Sequence, residues 1–242
     1  MTKTTPQPTA KTRLARATPA PRTARRVAAD ETKQRLLDLA WDVVRREGLA
    51  GLTLRRLATL AGVAVGLTNL HFGSREGLVD QLRIRAWDTL DQRIERVLGP
   101  FSAAPPPDFD YEAAIRRGID ATLRFALAEP ALYALLTPAA GQTLSDTVLA
   151  REVVTARRLV TLLTQGAAAN HLRVDGDPIV LALALWSSVQ GAIARMQVRA
   201  HPLMERVQAR ILDTVIDTFV ARLRCSPCPA ASTPPRPKRG RR

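Results

Sequence analysis

Apolar residues recur every three or four positions from Asp30 onward, which is the spacing of one face of an α-helix. In the first segment, residues 32–48, this spacing produces one apolar stripe made of Leu36, Leu37, Ala40, Val43 and Val44. No segment shows the alternation of apolar and polar residues that is typical of a half-buried strand, and no repeat of fixed period is present. The pattern therefore predicts an all-α fold.

Capping residues and glycines divide the beginning of this pattern into short helices. Gly48 and Gly62 are helix stops, and Thr53 and Ser74 each precede a helical segment as an N-cap. A long helix is predicted from residue 75 to about residue 98. Short helices joined by a glycine-containing turn are the organisation of a helix-turn-helix.

A proline-rich loop at residues 99–110 separates this small unit from a larger helical one. Prolines and caps divide the larger unit into helices predicted at about 110–129, 131–137, 143–168, 178–198 and 203–223. The segment 178–198 approaches the length of a membrane span. Its polar side chains, which include Gln190 and Arg195, favour a buried helix instead, so we expect no membrane partner.

Basic residues are concentrated at the two ends of the chain. Residues 1–29 carry seven Lys or Arg and residues 225–242 carry five, and neither segment contains an acidic residue. These charges account for most of the net charge of +14, so residues 30–224 contribute only +2. Such segments are usually disordered and favour polyanions such as nucleic acid. Solubilising tails without a partner are the alternative.

Motifs that carry catalytic or metal chemistry are few. Cys225 and Cys228 form a single C-x-x-C pair, and the three histidines are scattered, so we expect no metal site. The chain contains no G-x-S-x-G, no phosphate-binding G-x-x-x-x-G-K-[ST] and no H-E-x-x-H. We therefore expect neither an enzyme nor a bound cofactor. The low cysteine content is consistent with a reducing cytoplasm.

Residues 52–82 resemble the DNA-binding domain of the tetracycline-repressor-like (TetR) family of transcriptional regulators. The matching features are Thr53, Arg55, Leu57-Ala58, Ala61-Gly62-Val63, Gly66, His71-Phe72 and Ser74-Arg75-Glu76. Residues 125–136 and 184–191 are more weakly similar to one ligand-binding subclass, in which a His usually stands where this chain has Gln190. The resemblance implies a regulator, usually a repressor, that an unknown small-molecule effector releases from its DNA.

The pattern and the resemblance together predict four regions, namely a basic disordered arm (1–29), a helix-turn-helix domain (30–74), a helical ligand-binding and dimerisation domain (75–224) and a basic Pro-rich tail (225–242). The resemblance implies a homodimer formed by helices 178–198 and 203–223. Its two reading helices would meet a near-palindromic operator in double-stranded DNA. We expect the protein in the bacterial cytoplasm, associated with the nucleoid.

The expected reading helix, residues 64–71, contains no Lys or Arg. Where family members usually have Ser, Lys, Gly, Thr, Leu and Tyr, this chain has Ala64, Val65, Gly66, Leu67, Thr68 and Asn69. Loss of the capping Ser costs about 1 kcal/mol of local stability. In one interpretation the helix reads DNA through thymine methyls and an Asn69–adenine pair. In the other, operator binding is weak, nonspecific or lost.

The retained caps, turn and arginines favour the first interpretation. The predicted DNA-contacting residues are Arg26, Thr53, Arg55, Arg56, Ala64, Val65, Gly66, Leu67, Asn69, Leu70, His71 and Arg75. Phosphate anchoring is expected from the arginines and His71 in this set. The subclass resemblance and the helix phase predict a small apolar effector bound by Phe125, Tyr133, Leu136, Trp186 and Gln190. Ordinary core packing is the alternative for each of these side chains.

Overall fold

The computed structural model describes residues 22–99, 105–138, 141–197 and 202–224. These residues form α-helices and no strand, which confirms the all-α prediction. The helices are α1 (Arg22–Glu47), α2 (Leu54–Ala61), α3 (Val65–Phe72), α4 (Arg75–Leu98), α5 (Tyr111–Ala128), α6 (Pro130–Tyr133), α7 (Asp146–Ala168), α8 (Pro178–Gln197) and α9 (Pro202–Leu223). A short 3-10 turn, Leu49–Gly51, lies between α1 and α2.

Two predicted boundaries need correction. Helix α1 begins at Arg22, so residues 22–29 are helical and do not belong to the disordered arm predicted at residues 1–29. The physical reason is that no Gly or Pro occurs from residue 22 to residue 47, so nothing interrupts the helix. Helix α6 ends at Tyr133 and continues as turns rather than reaching residue 137. Residues 1–21 and the predicted tail, 225–242, lie outside the described residues.

One hydrophobic core extends through both halves of the described chain. Helix α1 buries Leu36 and Val44 completely, and α2 buries Leu57 completely. Helix α4 buries Leu82 and Leu90 and packs against α1 and α3 as well as against α5 and α7. Helix α4 is therefore the mechanical connection between the small N-terminal unit and the larger helical unit.

Helix α8 is less buried than its sequence predicts. Its inner face packs against α7 and α9, but Ile179, Val180 and Leu183 are each more than half exposed. Of the helices in the described ranges, α8 alone has the length and composition of a membrane span, a test that core helices of soluble proteins also pass. The buried helix expected here is thus a half-buried helix with an apolar outer face. Because apolar residues occur on every side of α8, its sequence does not show which face is exposed.

Candidate nucleic-acid interface and ligand cavity

The turn between α2 and α3 is built by backbone geometry at both of its ends. Thr53 caps α2 by accepting a hydrogen bond from the Arg56 amide at 3.1 Å, as its sequence position predicts. Gly62 ends α2 with a φ of 66°, in the left-handed region that glycine adopts most readily. The Val63 amide then donates to the Ala58 carbonyl at 3.0 Å. The turn therefore has a fixed direction, and α3 starts from a defined point.

Helix α3 begins without side-chain help. Ala64 occupies the N-cap position and accepts no hydrogen bond through its side chain. Thr68, in the place of an expected apolar residue, is completely buried, and its hydroxyl donates to the Val65 carbonyl at 2.7 Å. The hydroxyl is thus satisfied within the helix. The unusual residues of α3 leave the helix intact and weaken its first turn.

The outer face of α3 presents apolar side chains around one amide. Leu70 is 79 % exposed and Val65 is 40 % exposed, and Asn69 lies on the same exposed side. A Cβ added to Gly66 would meet nothing within 4 Å, so the surface next to Asn69 is open. This face offers methyl groups and a paired donor and acceptor, and it offers no cation.

Two other residues of the predicted reading set face partly inward. Leu67 is half-buried, and so is His71. The Nε2 atom of His71 is buried and has no hydrogen-bond partner in the part of the chain that the structure describes. These two side chains present less of their surface to a partner than Asn69 and Leu70 do.

Arg56 is held by an intramolecular ion pair. Its Nη1 and Nη2 atoms donate to the two Glu47 carboxylate oxygens at 2.5 and 2.6 Å, and Nη1 also donates to the Gly51 carbonyl at 3.1 Å. The hydrogen bonds from Arg56 lower the pKa of Glu47, and the same pairing raises the pKa of Arg56. This arginine clamps the end of α1 to the start of α2, and its charge is partly neutralised.

Arg75 has a similar internal role at the start of α4. Its Nε atom donates to the Leu52 carbonyl at 2.9 Å, and its Nη2 atom donates to the Leu49 carbonyl at 2.8 Å. A guanidinium presents several N–H donors in a fixed fork, so one side chain can bind both carbonyls at once. Arg75 therefore ties α4 to the connection between α1 and α2 while it keeps its positive charge.

Arg55 and Arg26 remain available for a partner. Both are exposed, and neither guanidinium forms a hydrogen bond or ion pair with any described residue. Arg55 lies in the first turn of α2, and Arg26 lies near the beginning of α1. Among the predicted phosphate contacts, these two side chains have the fewest competing interactions.

The junction of α3 and α4 is tight, and the sequence did not single out its key residue. A Cβ added to Gly77 would lie 2.2 Å from the Phe72 carbonyl oxygen, so the backbone of α3 lies directly against this glycine. Ser74 caps α4 by accepting from the Gly77 amide at 3.2 Å. A backbone hydrogen bond, together with one from Ser74, lowers the pKa of Glu76 in the same turn. The orientation of α3 relative to α4 is therefore fixed by close backbone contact.

The larger helical unit contains a cavity of about 190 Å³ between α4, α5, α7 and α8. Trp87 of α4 and Trp186 of α8 both line it, and their ring centroids are 5.7 Å apart. Most of the remaining lining is aliphatic, with contributions from Ile94, Leu98, Ile115, Ile119, Leu159, Leu162, Leu185 and Val189. The cavity is therefore suited to an apolar molecule or an apolar part of one.

Only one of the five predicted effector-binding residues lines this cavity. Trp186 does, whereas Phe125, Tyr133 and Leu136 are buried in the core where α6 packs against α1 and α5. Burial raises the pKa of Tyr133 to about 12, and its hydroxyl has no partner among the described residues. Gln190 lies one turn beyond Trp186 and outside the lining. Phe125, Tyr133, Leu136 and Gln190 therefore lie outside the lining of this cavity, and their role in binding an effector stays a prediction.

Charged residues border the cavity on the side where α4 meets α7. Arg151 donates to Asp88 at 2.7 Å and to Asp91 at 2.5 Å, and Asp91 is only 5 % exposed. Arg158, which lines the cavity, lies 3.7 Å from Asp91 and 3.8 Å from Glu95. These pairs connect the cavity wall to α4 directly.

The carboxylate that lines the cavity itself has no such partner among the described residues. Glu152 of α7 is half-buried and forms no hydrogen bond or ion pair with the described residues. Burial raises the pKa of Glu152. Sequence reasoning missed Glu152, although a single charged residue on the inward stripe of a helix is a detectable signal.

Two family models match the chain. Residues 36–82 match the model described as bacterial regulatory proteins of the tetR family, and residues 115–219 match the model described as the tetracyclin repressor-like C-terminal domain. No curated protein matches the chain. The first model covers the turn between α2 and α3 together with α3 itself. The second model covers most of the residues that line the cavity.

Solved structures share the fold over most of the chain. A protein of unknown function from Rhodococcus sp. RHA1 is 24 % identical, with a TM-score of 0.64 over 80 % of this chain and 96 % of that one. SmeT, the repressor of the Stenotrophomonas maltophilia multidrug efflux pump SmeDEF, is 19 % identical, with a TM-score of 0.60 over 86 % and 99 %.

A third structure, AibR in complex with isovaleryl coenzyme A and operator DNA, is 13 % identical, with a TM-score of 0.53 over 78 % of this chain and 98 % of that one. At these identities the three structures support the fold alone. They place the turn, α3 and the cavity within one helical architecture.

Proposed function

Because the chain belongs to the TetR family of DNA-binding transcriptional regulators, we propose that it is a repressor that a small molecule releases from its operator. The observation that carries this proposal is the intact turn between α2 and α3, which presents the exposed face of α3 on a rigid support. SmeT is a repressor and AibR is seen with a ligand and operator DNA, and both share this fold. A cytoplasmic location next to the nucleoid follows from this role.

We infer that α3 enters the major groove and reads it with Asn69 and its apolar neighbours. The Asn69 amide can donate to and accept from adenine, a pair worth about 1–3 kcal/mol of discrimination. Leu70 and Val65 are exposed beside it and can contact thymine methyl groups. Exposure of these three side chains supports the interpretation in which the unusual helix still reads a sequence.

Phosphate contacts are proposed mainly for Arg55 and Arg26, whose guanidinium groups have no partner among the described residues. Arg56 and Arg75 contribute their charge while they hold the α1–α2 connection. The amide groups at the start of α2, beside Thr53, and those at the start of α3, beside Ala64, also suit phosphate oxygens. Contacts of this kind position the protein without reading its sequence.

We propose that a second copy of the chain covers the outer apolar face of α8. This face is formed by Ile179, Val180 and Leu183. Helix α9 packs against α8 and adds a half-exposed apolar side chain, Val207. Exposed apolar groups of this extent favour association. A two-fold dimer would present two α3 helices to successive major grooves, about 34–36 Å apart on a near-palindromic site.

The effector is proposed to bind in the cavity and to act through α4. Ion pairs join the cavity wall to α4, and the tight junction at Gly77 joins α4 to α3. A shift of α4 would therefore move the reading helix. Coupling free energies between such sites are typically about 1–3 kcal/mol.

The test compares the wild-type chain with Asn69→Ala on upstream intergenic DNA and on random DNA of equal length. We expect Asn69→Ala to weaken specific binding at least tenfold and to leave binding to random DNA nearly unchanged. Gln92→Ala, which removes an exposed amide from the middle of α4, is the control and should change neither. Equal losses on both DNAs would contradict the reading role of Asn69.

The basic ends of the chain favour a second candidate, a dimeric protein that binds DNA without sequence preference. This candidate predicts binding to both DNAs with equal affinity and a steep dependence on salt. The same titrations, repeated at two salt concentrations, distinguish the two functions.

A further inference from the structure

One charged residue of α7, Glu152, indicates what kind of effector the cavity binds. Positions 148, 152, 155, 159, 162 and 166 form the inward stripe of α7, and the residue at position 152 is the one charged member. Val148, Thr155 and Leu162 on this stripe are buried. Glu152 thus occupies a place where the helix otherwise packs against its neighbours.

A carboxylate in such a place needs compensation. Glu152 lines the cavity and finds no cation or hydrogen-bond donor within the described ranges. A half-buried carboxyl group without a partner loses solvation and gains nothing in return. A positive charge in the cavity would supply the missing interaction.

Arg158, which also lines the cavity, is already paired with carboxylates of α4. It faces Asp91 and Glu95, and Arg151 beside it is bound to Asp88 and Asp91. This network contains two guanidinium groups and three carboxylates, so it has no positive charge to spare for an anion. The charged residues of the lining are Glu152 and Arg158, and because Arg158 is paired with carboxylates beside the cavity, Glu152 is the lining charge without a partner among the described residues.

The aromatic part of the lining suits the same type of ligand. Trp87 and Trp186 lie with their ring centroids 5.7 Å apart on the cavity wall. Indole rings attract cations, and the attraction reaches about 2 kcal/mol where water is excluded. Their position against an aliphatic wall provides both an apolar surface and a favourable site for positive charge.

We propose that the effector is an organic cation with an apolar body, an amine or quaternary ammonium whose charge is bound by Glu152 and the two indole rings. This inference rests on the proposed function, in which the cavity holds the effector. The space fits a small aryl ammonium ion, because an engineered cavity of about 150 Å³ binds benzene and this cavity has about 190 Å³.

Three probes of equal shape and different charge test the proposal. Phenyltrimethylammonium is the cation, tert-butylbenzene is its uncharged carbon isostere, and benzenesulfonate is the anion. Their dissociation constants are measured on the full chain without DNA, by tryptophan fluorescence. We expect the ammonium ion to bind at least tenfold more tightly than the isostere, and the sulfonate to bind more weakly than either.

The isosteric variant Glu152→Gln removes the charge and keeps the shape. Because only the ammonium ion interacts with that charge, the variant should weaken binding of the ammonium ion at least tenfold, which corresponds to about 1.4 kcal/mol. The dissociation constant of tert-butylbenzene should change by no more than about twofold. Glu31→Gln on the exposed surface of α1 is the matched control and should change neither constant. Thermal unfolding of both variants confirms that they are folded.

Three results would overturn the proposal: no preference for the cation in the wild-type chain, tighter binding of the sulfonate, or an unchanged preference in Glu152→Gln. The order of the three dissociation constants in the wild-type chain tests the proposal even if the Glu152→Gln variant is unstable. Because no DNA is present, the outcome is independent of operator binding. A chain that prefers the ammonium ion but does not recognise an operator would retain the ligand site and lose the proposed function.

Discussion

Helix α4 is held in different ways at its two ends, and the difference indicates where the molecule can respond. At its beginning, Arg75 binds two backbone carbonyls and Gly77 lies against the backbone of α3. Further along, α4 is held to α7 by ion pairs that border a cavity. At the first end the backbones of α3 and α4 are in close contact and leave no space for another arrangement. At the second end, charged side chains beside a cavity can change partners. A ligand therefore acts most easily at the second site.

The largest expected effect comes from breaking the rigid end. Gly77→Ala places a methyl group 2.2 Å from the Phe72 carbonyl oxygen, so the backbone must move. We expect a loss of about 3 kcal/mol in the free energy of unfolding, measured by urea denaturation, and a loss of operator binding. Gly118→Ala in α5 is the control, because its Cβ would lie 3.9 Å from Leu98, an ordinary contact. A stable Gly77→Ala variant with normal DNA binding would show that the junction is not rigid.

A smaller effect is expected at the ion-paired end. Arg151→Met leaves the buried Asp91 with only the longer contact to Arg158. Because Arg151 is partly accessible to water, we expect a loss of about 2 kcal/mol, below the full cost for a buried pair. A double-mutant cycle with Asp91→Asn measures the coupling between the two residues by denaturation. Additive losses would contradict a direct interaction across the α4–α7 contact.

The smallest effect concerns the first turn of α3. Ala64→Ser restores a hydroxyl at the N-cap position, which has no side-chain cap. We expect a gain of about 1 kcal/mol in the free energy of unfolding, measured by urea denaturation. Ala134→Ser, at an exposed position after α6, should have no effect. If both variants behave alike, the first turn of α3 is not limited by its missing cap.

The same two regions differ in how well the sequence predicts them. Thr53, Gly62 and Ser74 act through the backbone of their own turns, so local patterns identified their roles correctly. The close contact at Gly77 cannot be predicted from local patterns, because the carbonyl that it touches belongs to another helix. Its importance appears only once α3 and α4 are placed in space.

The cavity depends on packing between distant helices, and local patterns predicted it poorly. Trp186 was identified, but Trp87 and Glu152 come from α4 and α7, whose relative placement the sequence does not state. The subclass resemblance and the helix phase predict Phe125 and Tyr133 as effector contacts, but both are buried in the core outside this cavity. Helix phase determines which side of a helix is buried, but it does not determine which buried side chains surround an empty space.

The central claim is that the exposed face of α3 reads a DNA sequence without a basic residue. The most direct measurement is the affinity of residues 22–224, which lack residues 1–21 and the basic segment 225–242, for upstream DNA in competition with random DNA at physiological salt. We expect the upstream DNA to be preferred by about 100-fold or more, since specific sites exceed random DNA by at least this margin. Equal affinity for the two DNAs would contradict this claim, and a complete loss of binding would assign DNA binding to the removed basic segments.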